Sequence, residues 1–156
     1  MLGQPDYPGC GIPPVFYLFV NLPLVWLAGP IAAVLSKRRP LAGLTLWGVI
    51  GVNAIVHIVP AVLRREYDPG LVTAVVLFVP LTALVAVAVL GPRGYRRPAA
   101  AVLLGAGALA HAVLAGSLLA YLSGVIPVWL LLALQPAVIV VGFVLVGVAD
   151  RRLQRS

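Results

Sequence analysis

The chain has 156 residues, of which 62% are hydrophobic and only 10% are charged, and its mean hydropathy is +1.10. Soluble domains average roughly 45–50% apolar and about 25% charged residues, so the composition excludes an ordinary soluble domain and equally a disordered chain. The single cysteine, Cys10, excludes an intrachain disulfide, and the net charge of +7 comes from basic residues that flank apolar segments.

Five apolar segments follow a proline- and glycine-rich tail over residues 1–11. Each is long enough to cross a hydrocarbon core of ~30 Å at ~1.5 Å per residue. We therefore predict a single all-α membrane domain with five transmembrane helices, over residues 12–36, 41–63, 71–90, 99–123 and 126–149, and a C-terminal tail over 150–156. Only Ser123 and Gly124 separate the last two helices, which predicts a tight hairpin turn. The alternative is four spans, with the first segment lying in the membrane interface because Pro23 and Pro30 weaken it.

Basic residues cluster after every second segment. Nine of the eleven Lys and Arg residues follow the first, third and fifth helices: Lys37, Arg38, Arg39, Arg93, Arg96, Arg97, Arg151, Arg152 and Arg155. The opposite side carries Arg64 and Arg65, which Glu66 and Asp68 offset. The positive-inside rule places the three clusters in the cytoplasm, and so predicts a multi-pass protein of the cell membrane with its N-terminus outside and its C-terminus cytoplasmic.

Polar side chains inside the apolar segments are costly, so their positions indicate either a site or contacts between helices. Asn53 and His57 are four residues apart and share a helix face that leads toward Arg64. Two interpretations are open for this pair: one wall of a cavity open to the outer leaflet, or hydrogen bonds between helices worth about 0.6–2 kcal/mol each. For Gln135 and Thr82 we favour the second interpretation.

Several motifs lie in order around this pair: Asn53-Ala-Ile-Val-His57, then Tyr67-Asp68-Pro69-Gly70, then Thr73. This arrangement resembles the HXXEE family of small bacterial integral membrane proteins, which combines N-x-x-x-H with a downstream Y-x-P-G turn and a threonine. The resemblance implies a bundle of several helices and no established activity. The His-x-x-Glu-Glu motif itself is absent, since the first helix has no His, Asp or Glu and Asn21 is its nearest polar residue. If the family's acids and histidines bind a metal or move protons, this chain has lost half of that set.

Our first functional interpretation is a polar-lined pocket in the outer half of the bilayer for an apolar or lipid-like small molecule. Its candidate ligand-binding residues are Asn21, Asn53, His57, Arg64, Arg65, Tyr67, Thr73 and His111. Arg64 and Arg65 would meet an anionic head group at the mouth of the pocket. We assign no catalytic residue. If the protein catalyses a reaction, His57 is the best candidate, because an imidazole can exchange a proton near neutral pH.

Two other functions stay open. One is a non-enzymatic accessory or transport subunit, acting as a homo-oligomer or with a larger membrane partner. The other is a haem or metal site that uses His57 and His111, although two histidines without a carboxylate or thiolate are a thin ligand set, so no metal site is predicted and no cofactor is assigned. For His111, a contact between helices is favoured over a ligand. Nucleic acid is not an expected partner, because the basic residues are divided among short loops at helix ends.

Overall fold

The computed structural model describes residues 11–90 and 97–153, and over these ranges the chain is helical, with turns between the helices and no strand. It forms five helices, which we number α1 (Pro14–Leu35), α2 (Pro40–Arg64), α3 (71–90), α4 (Arg97–Leu122) and α5 (Val128–Leu153). All five predicted segments are thus helical, with bounds within four residues of those predicted. Cys10 and three of the predicted cytoplasmic arginines, Arg93, Arg96 and Arg155, lie outside the described residues.

Four helices are long and apolar enough to cross a membrane, namely α1, α2, α4 and α5, with mean hydropathies from 1.9 to 2.5. The apolar helix over Leu71–Val87, within α3, is shorter, at 17 residues. The helical bundle is therefore confirmed, and four helices rather than five meet the length criterion. The first segment, which the four-span alternative assigned to the interface, is among these four.

Two helices contain π-helical stretches, in which hydrogen bonds run from residue i to i+5. They are Leu22–Ala28 in α1 and Ala74–Phe78 in α3. Each stretch precedes a proline, Pro30 or Pro80, and the residue four positions before that proline lies inside it. Proline has no N–H to donate to that residue's carbonyl and its ring clashes there, which favours a wider turn at these two sites, whereas Pro60 and Pro136 are accommodated in regular α-helix. Nothing in the spacing of the apolar residues predicted these stretches.

Many large apolar side chains are exposed on the outside of the bundle, whereas eight of the fifteen buried hydrophobic residues that the structure describes are alanines. The backbones of α2 and α4 approach closely, since a Cβ atom added to Gly48 would lie 1.9 Å from the Leu103 carbonyl oxygen. A Cβ atom on Gly107 would likewise lie 2.3 Å from the Gly48 carbonyl oxygen. The two backbones touch because neither glycine has a side chain, which is how membrane helices pack when water supplies no hydrophobic driving force between them.

The buried apolar cluster of the bundle joins the start of α2 and α4 to the end of α5, through Leu41, Ala99, Leu103 and Val146. Trp47 of the same cluster donates its indole N–H to the Thr82 backbone oxygen of α3 at 3.0 Å. The helix ends next to the predicted cytoplasmic basic clusters therefore share one end of the bundle. At the opposite end, α4 and α5 are joined by a tight turn with Gly124 at φ 72°, which confirms the predicted hairpin.

Candidate functional site

A cavity of about 520 Å³ lies among all five helices. Most of its lining is aliphatic or aromatic. Its polar lining residues are Asn21 of α1, Asn53 of α2, His111 of α4 and Gln135 of α5. Leu24 and Leu77, which belong to the two π-helical stretches, also line it. Both irregular stretches therefore border the same space.

Asn53 and His111 join α2 to α4 beside this cavity. His111 Nδ1 donates to the Gly107 backbone oxygen at 2.9 Å, and its Nε2 lies 3.1 Å from Asn53 Oδ1. The two side chains meet because α2 and α4 run parallel and each residue follows the glycine contact by about one helical turn. Both ring nitrogens of His111 are thus engaged, and a metal would have to displace one of these partners.

Gln135 connects α5 to α4 through a chain of hydrogen bonds. Its Nε2 donates to Ser117 Oγ at 3.0 Å and to the Leu131 backbone oxygen at 2.9 Å. Ser117 in turn donates to the Leu114 backbone oxygen at 3.2 Å. Gln135 therefore links helices, as we favoured from the sequence, and it also lines the cavity, which we did not predict.

His57 does not line the cavity and has a different partner. Its Nδ1 donates to the Asp68 carboxylate, which lies in the loop between α2 and α3, and both side chains are 28% exposed. The imidazole lies against Gly70, since a Cβ atom there would be 2.7 Å from His57 Cε1. We call His57 and Asp68 the loop pair, and Gly70 its glycine. With Nδ1 bonded to a carboxylate, Nε2 is the nitrogen that can accept a proton.

The loop reaches His57 through two left-handed residues. Arg65 ends α2 at φ 54°, where the Glu66 N–H bonds back to the Ala61 oxygen at 3.3 Å, and Gly70 precedes α3 at φ 106°. These values turn the chain sharply enough for a residue eleven positions after His57 to contact it. The Tyr67-Asp68-Pro69-Gly70 motif is thus the turn that delivers Asp68.

The predicted site residues fall into two groups. Asn21, Asn53 and His111 line the cavity. The other five lie at the end of the bundle that holds the loop pair. His57 is partly buried, and the remaining four are exposed: Arg64, Arg65, Tyr67 and Thr73. Arg64 and Arg65 do not line the cavity, so the structure does not place the predicted basic mouth at this cavity.

Two residues were missed as members of these groups. The sequence shows Gln135 as an amide inside an apolar helix, but it does not show that this side of the helix faces the cavity. Asp68 was taken only as an acid offsetting Arg64 and Arg65, although its place in a turn soon after His57 was a usable signal.

The two histidines do not face a shared space, because His57 bonds the loop and His111 bonds α2. Within residues 11–90 and 97–153, no group of three or more His, Cys, Asp and Glu side chains is placed to hold a metal ion. This arrangement does not fit a haem held between His57 and His111.

Comparison with known proteins identifies the first half of the chain. No curated protein and no solved structure matches it. The model of one family, described as "Protein of unknown function with HXXEE motif", matches residues 12–85, which include Asn21, Asn53 and the loop pair with its glycine. His111 and Gln135 lie beyond the match, so the cavity combines matched and unmatched parts of the chain. Residues 12–85 of this multi-pass, helical chain belong to the HXXEE family.

Proposed function

We propose that this is a five-span protein of the cell membrane that holds an apolar or lipid-like small molecule in the cavity among its helices. The observation that carries the proposal is the cavity of about 520 Å³, which is lined mainly by apolar side chains with four uncharged polar ones. Sites for small molecules commonly have volumes of about 300–1,000 Å³ and this kind of lining.

The fifth span of the proposal is α3. Its apolar stretch of 17 residues, Leu71–Val87, lies at the short end of the range of about 17–25 residues that spans a bilayer. With α3 across the membrane, the chain crosses an odd number of times and its termini lie on opposite sides. The basic clusters then share the cytoplasmic face, which gives an outside N-terminus and a cytoplasmic C-terminus.

Asn21, Asn53 and His111 would hold the polar part of the molecule. The loop pair, with Arg64, Arg65, Tyr67 and Thr73 near it, would lie at the outer end of the bundle. If a reaction takes place, His57 is the residue we assign to proton transfer, because Asp68 fixes its tautomer and leaves Nε2 as a base.

Native mass spectrometry of the protein in mild detergent tests the proposal, using Ala110→Phe and Ala108→Phe as a matched pair. Ala110 lines the cavity, whereas Ala108 is exposed on the same helix and does not line it. We expect a discrete bound mass on the wild type and on Ala108→Phe, and its loss from Ala110→Phe.

A bound mass that survives Ala110→Phe would contradict the proposal. A bare protein that co-purifies with a larger membrane protein would favour an accessory subunit instead.

A further inference from the structure

The hydrogen-bonding atoms left over in the cavity define the head group of its occupant. This inference deepens the proposed function and rests on it. The amide of Gln135 has two hydrogens, and both are used, on Ser117 Oγ and on the Leu131 oxygen. Because the Ser117 hydroxyl donates onward to the Leu114 oxygen, the direction of this chain is fixed. Gln135 is left with its oxygen Oε1, which only accepts.

The amide of Asn21, on α1, also has a fixed orientation. Its Nδ2 donates to the Tyr17 backbone oxygen at 2.8 Å. A backbone carbonyl has no hydrogen to give, so this bond also fixes which end of the amide is nitrogen. Asn21 retains its oxygen as an acceptor and one N–H.

The bond between His111 and Asn53 adds a third acceptor when the ring is neutral. The Gly107 oxygen holds the single ring proton on Nδ1, so Nε2 accepts. Asn53 then turns its NH₂ group to Nε2, a half-turn of the amide that directs its oxygen elsewhere. The turned Asn53 also keeps one N–H, so the polar part of the cavity offers three amide oxygens as acceptors and the N–H groups of Asn21 and Asn53 as donors.

Formal charge is missing from the same lining. No Asp, Glu, Lys or Arg is among the described residues around the cavity. A carboxylate, phosphate or ammonium head group placed there would lose its hydration without gaining a counter-charge, which is far more costly than burying a hydroxyl that finds an acceptor.

We propose that the cavity binds a lipid-like molecule whose head group is an uncharged hydroxyl, which donates its one hydrogen to the amide oxygen of Gln135 and accepts the remaining N–H of Asn21. This class excludes the anionic head group expected from Arg64 and Arg65, neither of which lines the cavity.

Five probes with comparable long chains test the head group: oleyl alcohol, methyl oleate, oleate, oleylamine and octadecene. Each is titrated into the delipidated full chain in detergent, and the bound fraction is read by native mass spectrometry. We expect oleyl alcohol to bind roughly tenfold more tightly than octadecene and methyl oleate, which have no hydrogen to donate, and the two ionised probes to bind most weakly.

Asn21→Leu provides the matched variant, since Asn21 is exposed and its described bond is to its own helix. It should reduce the preference for the alcohol over octadecene by roughly threefold. Ser36→Ala is the control, because Ser36 is also exposed and bonded to its own helix, at Ala33, but lies outside the cavity lining.

Equal binding of oleyl alcohol, methyl oleate and octadecene would overturn the hydroxyl assignment while leaving an apolar site in place. Tighter binding of oleate or oleylamine would overturn the uncharged head group. Failure of all five probes would overturn both this inference and the proposed function.

Discussion

His57 and His111 both belong to apolar helices, yet they are held by different parts of the chain. His57 bonds Asp68, eleven residues later. Asp68 lies in a loop that folds back onto His57 because Arg65 and Gly70 have positive φ angles. His111 bonds Asn53, 58 residues earlier, across a contact between two helix backbones. The first arrangement is local and partly exposed, and the second depends on the packing of the whole bundle.

This difference teaches that sharing a helix face does not make two residues partners. Asn53 and His57 are one turn apart on α2, as the sequence indicated, but Asn53 reaches α4 while His57 reaches the loop before α3. The face of α2 thus serves two separate structures, and each can be broken without the other.

The largest effect is expected from Gly107→Ala, which breaks the His111 region alone. The added Cβ atom would lie 2.3 Å from the Gly48 oxygen, so α2 and α4 must separate. We expect a loss of about 3 kcal/mol or more in the free energy of unfolding, measured by denaturant titration in detergent. Gly105→Ala is the control, because its Cβ atom meets nothing within 4 Å and alanine favours the helix. Equal losses in the two variants would refute the backbone contact.

Gly70→Ala should break the His57 region alone. Its φ of 106° disfavours a side chain, and the new methyl group would press on the imidazole. We expect a loss of about 2 kcal/mol and faster trypsin cleavage after Arg64 or Arg65, because the loop is released. Gly124→Ala, at φ 72° with nothing within 4 Å, isolates the cost of the backbone. The His57 contact is refuted if Gly70→Ala is no more damaging than Gly124→Ala.

A double-mutant cycle sharpens the comparison. Asn53→Leu and His111→Leu should couple by about 1 kcal/mol, because the first change removes the partner of the second. Asn53→Leu and His57→Leu should be additive within error. The measurement is the unfolding free energy of each single and double variant. Coupling between residues 53 and 57 would show instead that the shared face matters.

The smallest effect is expected from Arg65→Gly. Glycine adopts φ 54° without the strain of a side chain, and this gain exceeds the entropy it loses on folding. We expect a stabilisation of about 0.5 kcal/mol by thermal unfolding, with the His57–Asp68 bond kept. Arg64→Gly, one residue earlier in the regular helix, should instead destabilise by about 1 kcal/mol. Destabilisation by Arg65→Gly would mean that its side chain contributes more than its backbone costs.

The helices were predictable because about 20 apolar residues between charged or proline-rich breaks leave few alternatives in a membrane. The hairpin at Ser123 and Gly124 followed from the same length limit. The pairing of Asn53 with His111 was not predictable, since it depends on which glycines of α2 and α4 meet. Among the many small residues of these helices, nothing in one sequence singles out Gly48 and Gly107.

The cavity was predicted only in part. Asn21, Asn53 and His111 were chosen because amides and imidazoles are rare in apolar helices, and that signal is chemical rather than geometric. Their distances from Arg64 and Arg65 depend on how the helices rotate about their axes. The sequence therefore could not show that neither arginine lines the cavity. The loop pair shows the converse, because its turn motif was visible but the target of Asp68 was not.

The π-helical stretches of α1 and α3 also affect how these helices tolerate changes in length. A π turn contains about one residue more than an α turn, so the residues after it are rotated by about 100° relative to an uninterrupted α-helix. Deleting one residue from Ala74–Phe78 would allow an α turn to close and still leave the Thr82 oxygen facing Trp47. The same deletion in α4 would turn every later side chain to a new face. The two irregular helices beside the cavity are therefore those in which a single-residue deletion can be absorbed without changing the helix register.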